Sequence, residues 1–124
     1  MMKKNNKNTI TGCKGEKIAA EYLTGKGYIV IETNWRFIHK EIDIIAYDNN
    51  ILVFVEVKTR KPETGLTYED VLTIKKQQNM MEAAEQYIQQ KNIEPELRFD
   101  LIFITLQDES FKLEHLTNAF NAEI

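Results

Sequence analysis

The chain has 124 residues, 43% of them hydrophobic and 28% charged, which describes one ordinary globular domain with enough material for a core. No apolar run approaches the length of a membrane span, and the single cysteine, Cys13, excludes an intrachain disulfide and a cysteine metal cluster. A formal net charge of −3 argues against a dedicated, strongly basic nucleic-acid binder.

Residues 1–10 are rich in Lys and Asn and read as a disordered tail ahead of a single domain at 11–124. The tail is basic but lacks the apolar stretch of a secretory signal, so a cytoplasmic location and no membrane association are expected. Thr11 is a fair N-cap for a helix running to about Lys26. Its apolar positions Ile18, Ala19, Tyr22 and Leu23 follow helical spacing, and Gly27 stands where a left-handed C-cap is wanted. Tyr28 to Phe37 reads as a strand with an irregularity near Thr33-Asn34. Two hairpin strands follow at 41–48 and 51–60. Pro62 and Gly65 mark a loop. A short helical piece is predicted at 69–73 and a longer helix from about Lys75 to Gln90, with Met80, Ala83, Ala84, Tyr87 and Ile88 as its buried stripe. Asn92 to Pro95 ends that helix. Leu97 to Leu106 is a strongly apolar strand, and Phe111 to Leu116 alternates as an edge strand.

The predicted order is α-β-β-β-α-β-β. It implies an α/β fold, a mixed sheet of about five strands with a helix packed on each side. The long helix between the third and fourth strands permits a parallel crossover.

Charge is unevenly spread. Residues 1–81 carry 13 Lys/Arg against 10 Asp/Glu, whereas residues 82–124 carry 3 against 9. The first two-thirds can therefore present a positive face although the whole chain is acidic.

The most informative stretch is Glu41 to Arg60, EIDIIAYDNNILVFVEVKTR. Both strands are built from β-branched and aromatic residues interrupted by charges. Strict alternation puts Ile42, Ile44 and Ala46 on one face of the first strand and Glu41, Asp43 and Ile45 on the other. On the second strand it puts Ile51, Val53, Val55 and Val57 on one face, and Leu52, Phe54, Glu56 and Lys58 on the other. Asn49-Asn50 suits a two-residue turn. Asp48 then pairs with Ile51, and counting back sets Asp43 opposite Glu56 and Glu41 opposite Lys58. Two carboxylates about 5 Å apart among Val, Ile and Phe repel one another.

A divalent cation, Mg2+ or Mn2+, is the simplest way to offset that repulsion, because hard oxygen ligands from one or two carboxylates are what magnesium uses. Asp43, Glu56 and the Val57 carbonyl would supply those oxygens. Lys58, on the same side as Glu56, could hold a water or neutralise charge developing on phosphorus. Together these groups suit hydrolysis of a phosphodiester without a covalent intermediate. Glu41 and Glu16 are candidates for an outer shell or a second metal. Arg36, Arg60 and Lys75 are candidates for phosphate contact. The bland alternative pairs Glu41 with Lys58, and Glu56 with Arg60 or Lys58, as ordinary surface ion pairs. Trp35 reads as core or dimer residue, Asp100 as a structural partner for Arg98, and His39 and His115 as isolated.

Asp43 followed by Glu56-Val57-Lys58 resembles the signature of the PD-(D/E)XK nuclease superfamily. More closely, the chain resembles the YraN family of small bacterial proteins related to Holliday-junction resolvases. The resemblance runs from about Gly12 to Phe120. It rests on Gly15-Glu16, Asn34-Trp35-Arg36, Glu41-Ile42-Asp43, the run Val53 to Arg60, Lys75, Ala84, Arg98-Phe99-Asp100 and Asn118-Ala119-Phe120. Lys40 departs from the pattern, which has Gly there. The resemblance implies a restriction-endonuclease-like α/β/α core, Glu16 as a helix acid joining the active site, and DNA, branched or otherwise structured, as substrate. It equally allows a non-catalytic module on the same fold that binds nucleic acid or protein. A symmetric pair of cuts would call for a homodimer.

Overall fold

The computed structural model describes the backbone of residues 6–121 and the side chains of residues 14–121. Helix α1 (Asn6–Gly25) is followed by strands β1 (Ile29–Phe37), β2 (Lys40–Asp48) and β3 (Ile51–Arg60). A single 3-10 turn (Pro62–Thr64) and the one-turn helix α2 (Tyr68–Val71) lead into helix α3 (Ile74–Lys91), and strands β4 (Glu96–Gln107) and β5 (Ser110–Phe120) complete the chain. The five strands form one sheet in sequence order, antiparallel except between β3 and β4. That parallel pair is joined across the sheet by α3, the crossover that the long intervening helix permitted. The architecture is the expected α/β/α sandwich, and no helix among the described residues is long and apolar enough to cross a membrane.

Helix α1 begins at Asn6, ahead of the expected cap at Thr11. Residues 6–10 are therefore helical rather than tail, since no Gly or Pro in that stretch stops the helix; residues 1–5 lie outside the described residues. The other end follows expectation: Gly27 takes φ 98° and the Tyr28 N–H reaches back to the Leu23 carbonyl, a left-handed stop that suits glycine. Thr73 caps α3, its hydroxyl accepting from the Lys76 N–H at 3.1 Å. Asn92, at φ 56°, closes it.

Two cores flank the sheet. On the α3 face Leu52, Phe54, Phe99, Leu101 and Phe103 meet Met80, Ala83, Ala84 and Tyr87, with Trp35 packed edge-on against Tyr87. On the α1 face Val53, Val55, Ile102 and Ile104 meet Ala19 and Leu23. The alternation of β3 is as read from the sequence. That of β2 is not: Ile42 joins Ile45 on the α3 face, while Ile44 and Ala46 lie on the α1 face. The phase changes at Asp43, where the ladders lapse on both sides, since neither Asn34–Asp43 nor Asp43–Glu56 is a paired position. Asn34 is itself turned to φ 53°. A second irregularity, a bulge at Ile31, shifts the β1–β2 register.

His115, read as isolated, belongs to a buried polar network under α1. Asp100 is fully buried. It accepts from both Nε and an NH2 of Arg98 at 3.0 Å, from the Asn118 N–H at 3.0 Å, and lies 2.7 Å from His115 Nε2. Arg98 also reaches Asp48 and the Tyr28 hydroxyl, and Tyr22 meets His115 Nδ1 at 3.0 Å. Burial alone would raise the Asp100 pKa; the hydrogen bonds from His115, Arg98 and Asn118 outweigh it and hold the carboxyl below its ordinary range. The sequence offered the Asp100–Arg98 pair but no hint that residue 115, on another strand, would complete it.

Gly15 is where α1 touches the sheet most closely. A Cβ there would lie 1.9 Å from Thr59 Oγ1 and 3.3 Å from Thr59 Cβ, so a methyl group cannot enter unless the Thr59 hydroxyl turns away or the helix shifts from β3. Gly15→Ala is expected to cost about 1–3 kcal/mol by overpacking, read as a lower urea midpoint. Gly25→Ala, with open space around the added carbon, is the matched control and should cost nothing. Equal midpoints for the two variants would show that the α1–β3 contact is not tight.

Candidate active site

The polar cluster lies at the carboxyl end of β3 and the amino end of α3, the usual ligand-binding edge of an α/β sheet. The pairing of β2 with β3 runs from Asp48–Ile51 to Ile44–Val55 and stops. Asp43 is therefore not a ladder partner of Glu56, as the count from the turn had it. Freed from the ladder, its carboxylate takes the place of a backbone acceptor: the Val57 N–H donates to Asp43 Oδ2 at 2.8 Å. The acids still influence one another: after burial, the charge of Glu56 is the largest cause acting on the Asp43 carboxyl.

Glu56 is only 9% exposed. Burial, then the charge of Glu56, drives the Asp43 pKa up to about 7, against the lowering effects of the Val57 N–H and Lys76. Burial raises that of Glu56 as well, opposed by Lys76 and Lys58. The pair thus shares a proton near neutral pH unless another cation takes its place.

The cation nearest the pair was missed by sequence reading. Lys76 Nζ lies 3.2 Å from Glu56 Oε1. Lys75 was singled out instead, but it is exposed and makes no ion pair among the described residues. No sequence signal separates the two: both lysines stand in the first turn of α3, which holds no acid, where a cation is set against the helix dipole. Neither Arg60 nor Lys58 is the ion-pair partner of Glu56. Lys58 is exposed on the same strand face, and its charge lowers the Glu56 pKa.

Glu41 does not face Lys58, because β2 and β3 no longer pair there; it sits opposite Arg36 on β1, 3.8 Å away. Glu16 comes to the pair from α1. The pKa of its carboxyl is raised by burial and by the charges of Asp43 and Glu41, against a lowering effect of Asn34. Beside it, Lys17, Ala20, Thr33 and Asn34 line a small open cleft.

Of the three proposed phosphate contacts, Lys75 and Arg36 are exposed, Arg36 with 74% of its side chain. Arg60 is already engaged: it donates to Thr105 Oγ1 and the Leu66 carbonyl, pairs with Glu114 at 3.5 Å and lies over the Phe103 ring. Lys40, where the resembling family has Gly, ties the start of β2 to Glu82 of α3 at 3.3 Å. Its φ is not positive, so no glycine conformation has been lost; the strained position of that turn is Ile38, at φ 56° and 72% exposed.

Among the described residues no three of His, Cys, Asp and Glu already form a cage for a metal. The donor chemistry still suits a hard divalent cation: two neighbouring carboxylates largely kept from water, with the Val57 peptide at hand. Glu16, on the far side of Asp43, could contribute through water.

Fold and site together describe an α/β domain of nuclease-like architecture with a buried acid pair at the carboxyl edge of its sheet. The model of "Uncharacterised protein family UPF0102" matches residues 15–104, from the close-packed glycine of α1 to the end of the β4 core. The chain belongs to the UPF0102 family. It is 42% identical to a UPF0102 protein of Flavobacterium psychrophilum, covering 86% of this chain and 89% of the relative. A UPF0102 protein of Chlorobium limicola is 45% identical over 88% of this chain and 90% of its own length. One from Caldanaerobacter subterraneus is 43% identical over 96% of this chain and its entire length.

The raised Asp43 pKa has a definite sign in stability. The folded state binds a proton that the unfolded chain releases near pH 4, so without metal the protein loses stability as pH rises from about 4 to about 7, and the full cost is present above that. Asp43→Asn keeps an acceptor for the Val57 N–H and gains a donor toward Glu56. In EDTA it is expected to be more stable than wild type by roughly 2 kcal/mol at pH 8, with no advantage at pH 4. Urea unfolding at the two pH values checks this; a pH-independent difference would contradict it.

Proposed function

We propose that this chain is a metal-dependent phosphodiesterase that cleaves DNA, acting on branched or otherwise structured substrates at Asp43, Glu56 and Lys58. The observation that carries the reading is the Asp43–Glu56 pair, with Glu56 buried, Asp43 partly buried and each acid raising the cost of charging the other, flanked by lysines at the carboxyl edge of the sheet. Keeping two acids together and largely out of water costs stability, and a purely structural role gives no reason to bear that cost.

Asp43, Glu56 and the Val57 carbonyl would hold Mg2+ or Mn2+, which when bound polarises a phosphoryl oxygen and acidifies water. The remaining work falls to the chain itself. The Val57 N–H fixes the Asp43 carboxylate, so its oxygens keep one orientation. Lys58, exposed beside Glu56, orients the incoming water and neutralises charge developing on phosphorus. Glu16 and Asn34 order solvent on the α1 side of Asp43. Exposed Arg36 and Lys75 hold flanking phosphates without reading base sequence.

Cleavage of a four-way junction and of the matching duplex in Mg2+ tests this. Asp43→Asn, Glu56→Gln and Lys58→Met are each expected to lower the rate at least about 100-fold, while the Asn variant stays folded and more stable in EDTA. Full cleavage by the Asp43 variant sinks the mechanism. Salt-sensitive DNA binding with no cleavage by the wild type would point instead to a binding module on the same fold.

A further inference from the structure

We infer that Lys76 is a positioning residue that occupies the cation's place against Glu56 in the metal-free protein and turns to a substrate phosphate once a divalent cation binds. The inference rests on the function proposed above and names a residue that the signature of acids and lysine does not contain.

Three observations converge on it. Lys76 Nζ sits 3.2 Å from Glu56 Oε1, with Glu56 nearly buried and Lys76 about one-third exposed. The ammonium therefore reaches into the site from its rim rather than belonging to the core. It is also on the wrong end of its helix. Lys76 lies in the first turn of the 18-residue α3, whose first turn has no acid, and the helix dipole disfavours a cation there. Glu56 offsets that cost. Finally, the Thr73 cap fixes this turn, its hydroxyl accepting from the Lys76 backbone N–H. Only the side chain is left to move.

A divalent cation between Asp43 and Glu56 removes the charge that holds Lys76. The ammonium then faces a cationic neighbour and a helix amino terminus, with solvent on its other side. An anion at the rim is what this arrangement accepts, and a phosphodiester is the anion that the proposed substrate supplies. Lys76 would thus compete with the metal when DNA is absent and assist DNA binding when metal is present. Metal and DNA become coupled through one side chain.

The test uses the full chain without any cleavage readout. Mn2+ affinity is measured by calorimetry for wild type, Lys76→Met, Lys76→Arg and the neighbouring control Lys75→Met. DNA affinity is measured as a function of salt in Ca2+ and in EDTA. Lys76→Met is expected to bind Mn2+ at least about fivefold more tightly than wild type, since a competing charge has gone, whereas Lys75→Met and Lys76→Arg stay within twofold of wild type. In Ca2+ the slope of log affinity against log salt should fall by about one for Lys76→Met and be unchanged in EDTA. Unchanged or weaker Mn2+ binding by a folded Lys76→Met, beside a wild type that binds, overturns the inference and leaves the metal site intact. Mn2+ binding by neither protein, with or without DNA, overturns the site itself. Tighter Mn2+ binding with an unaltered salt slope confines Lys76 to the metal-free state and overturns its role toward phosphate.

Discussion

Two carboxylates drawn away from water at the end of a strand pair set the terms for the rest of this molecule. Coulomb repulsion between such groups grows as the surrounding dielectric falls, and a fold can keep them together only by supplying donors, cations or a shared proton. Two of these are visible, the Val57 N–H on Asp43 and Lys76 on Glu56, and the raised pKa values of both acids favour the third. The backbone gives way as well: the β2–β3 ladder ends at Ile44–Val55, and β2 changes phase at Asp43 so that Ile42 packs toward α3 and Ile44 toward α1.

The sheet topology decides which groups can answer the pair. Because β3 and β4 are parallel, the chain must cross the sheet between them, and α3 begins close to where β3 ends. That brings the capped first turn of α3, with Lys76, over Glu56. On the opposite face α1 lies tight against β3 because Gly15 leaves room for Thr59, which sets Glu16 beside Asp43. The site is thus assembled from both layers of helix through the edge of the sheet. Its geometry depends on contacts of the two cores rather than on the loop between β3 and α2. Arg60 belongs to that supporting structure. Its guanidinium joins β3 to β4, β5 and the Leu66 carbonyl.

Much of this was legible from the chain because local signals agreed. Asn49-Asn50 specified the hairpin turn, and the structure pairs Asp48 with Ile51 as that turn requires. The helical stripe of Met80, Ala83, Ala84 and Tyr87 identified the buried face of α3, and its length foretold the crossover. What failed to show depends on contacts far apart in sequence or on broken periodicity. Strict alternation cannot foresee the change of phase at Asp43, which arises from a side chain replacing a ladder acceptor. The count from the turn placed Glu41 by β3 when it belongs to the β1 side. Lys76 and Lys75 are adjacent and chemically identical, and only the rotation of α3 against β3 selects between them. His115 is brought to Asp100 by the β4–β5 register, which no motif announces.

A chain of net charge −3 must still approach a polyanion if DNA is its substrate, and the disposition of cations shows how it could. Arg98, Lys40 and Arg60 are committed to internal partners and add little field at the surface. Lys58 and Lys75 make no ion pair among the described residues, and Arg36 holds only a loose one at 3.8 Å. These three lie on the elements that also carry the acid pair or border it. A divalent cation at Asp43 and Glu56 would cancel the negative charge at their centre and release Lys76 to join them. The electrostatic footprint for a phosphate backbone would then be conditional, weak in the metal-free protein and strengthened by the ion that the proposed chemistry would use.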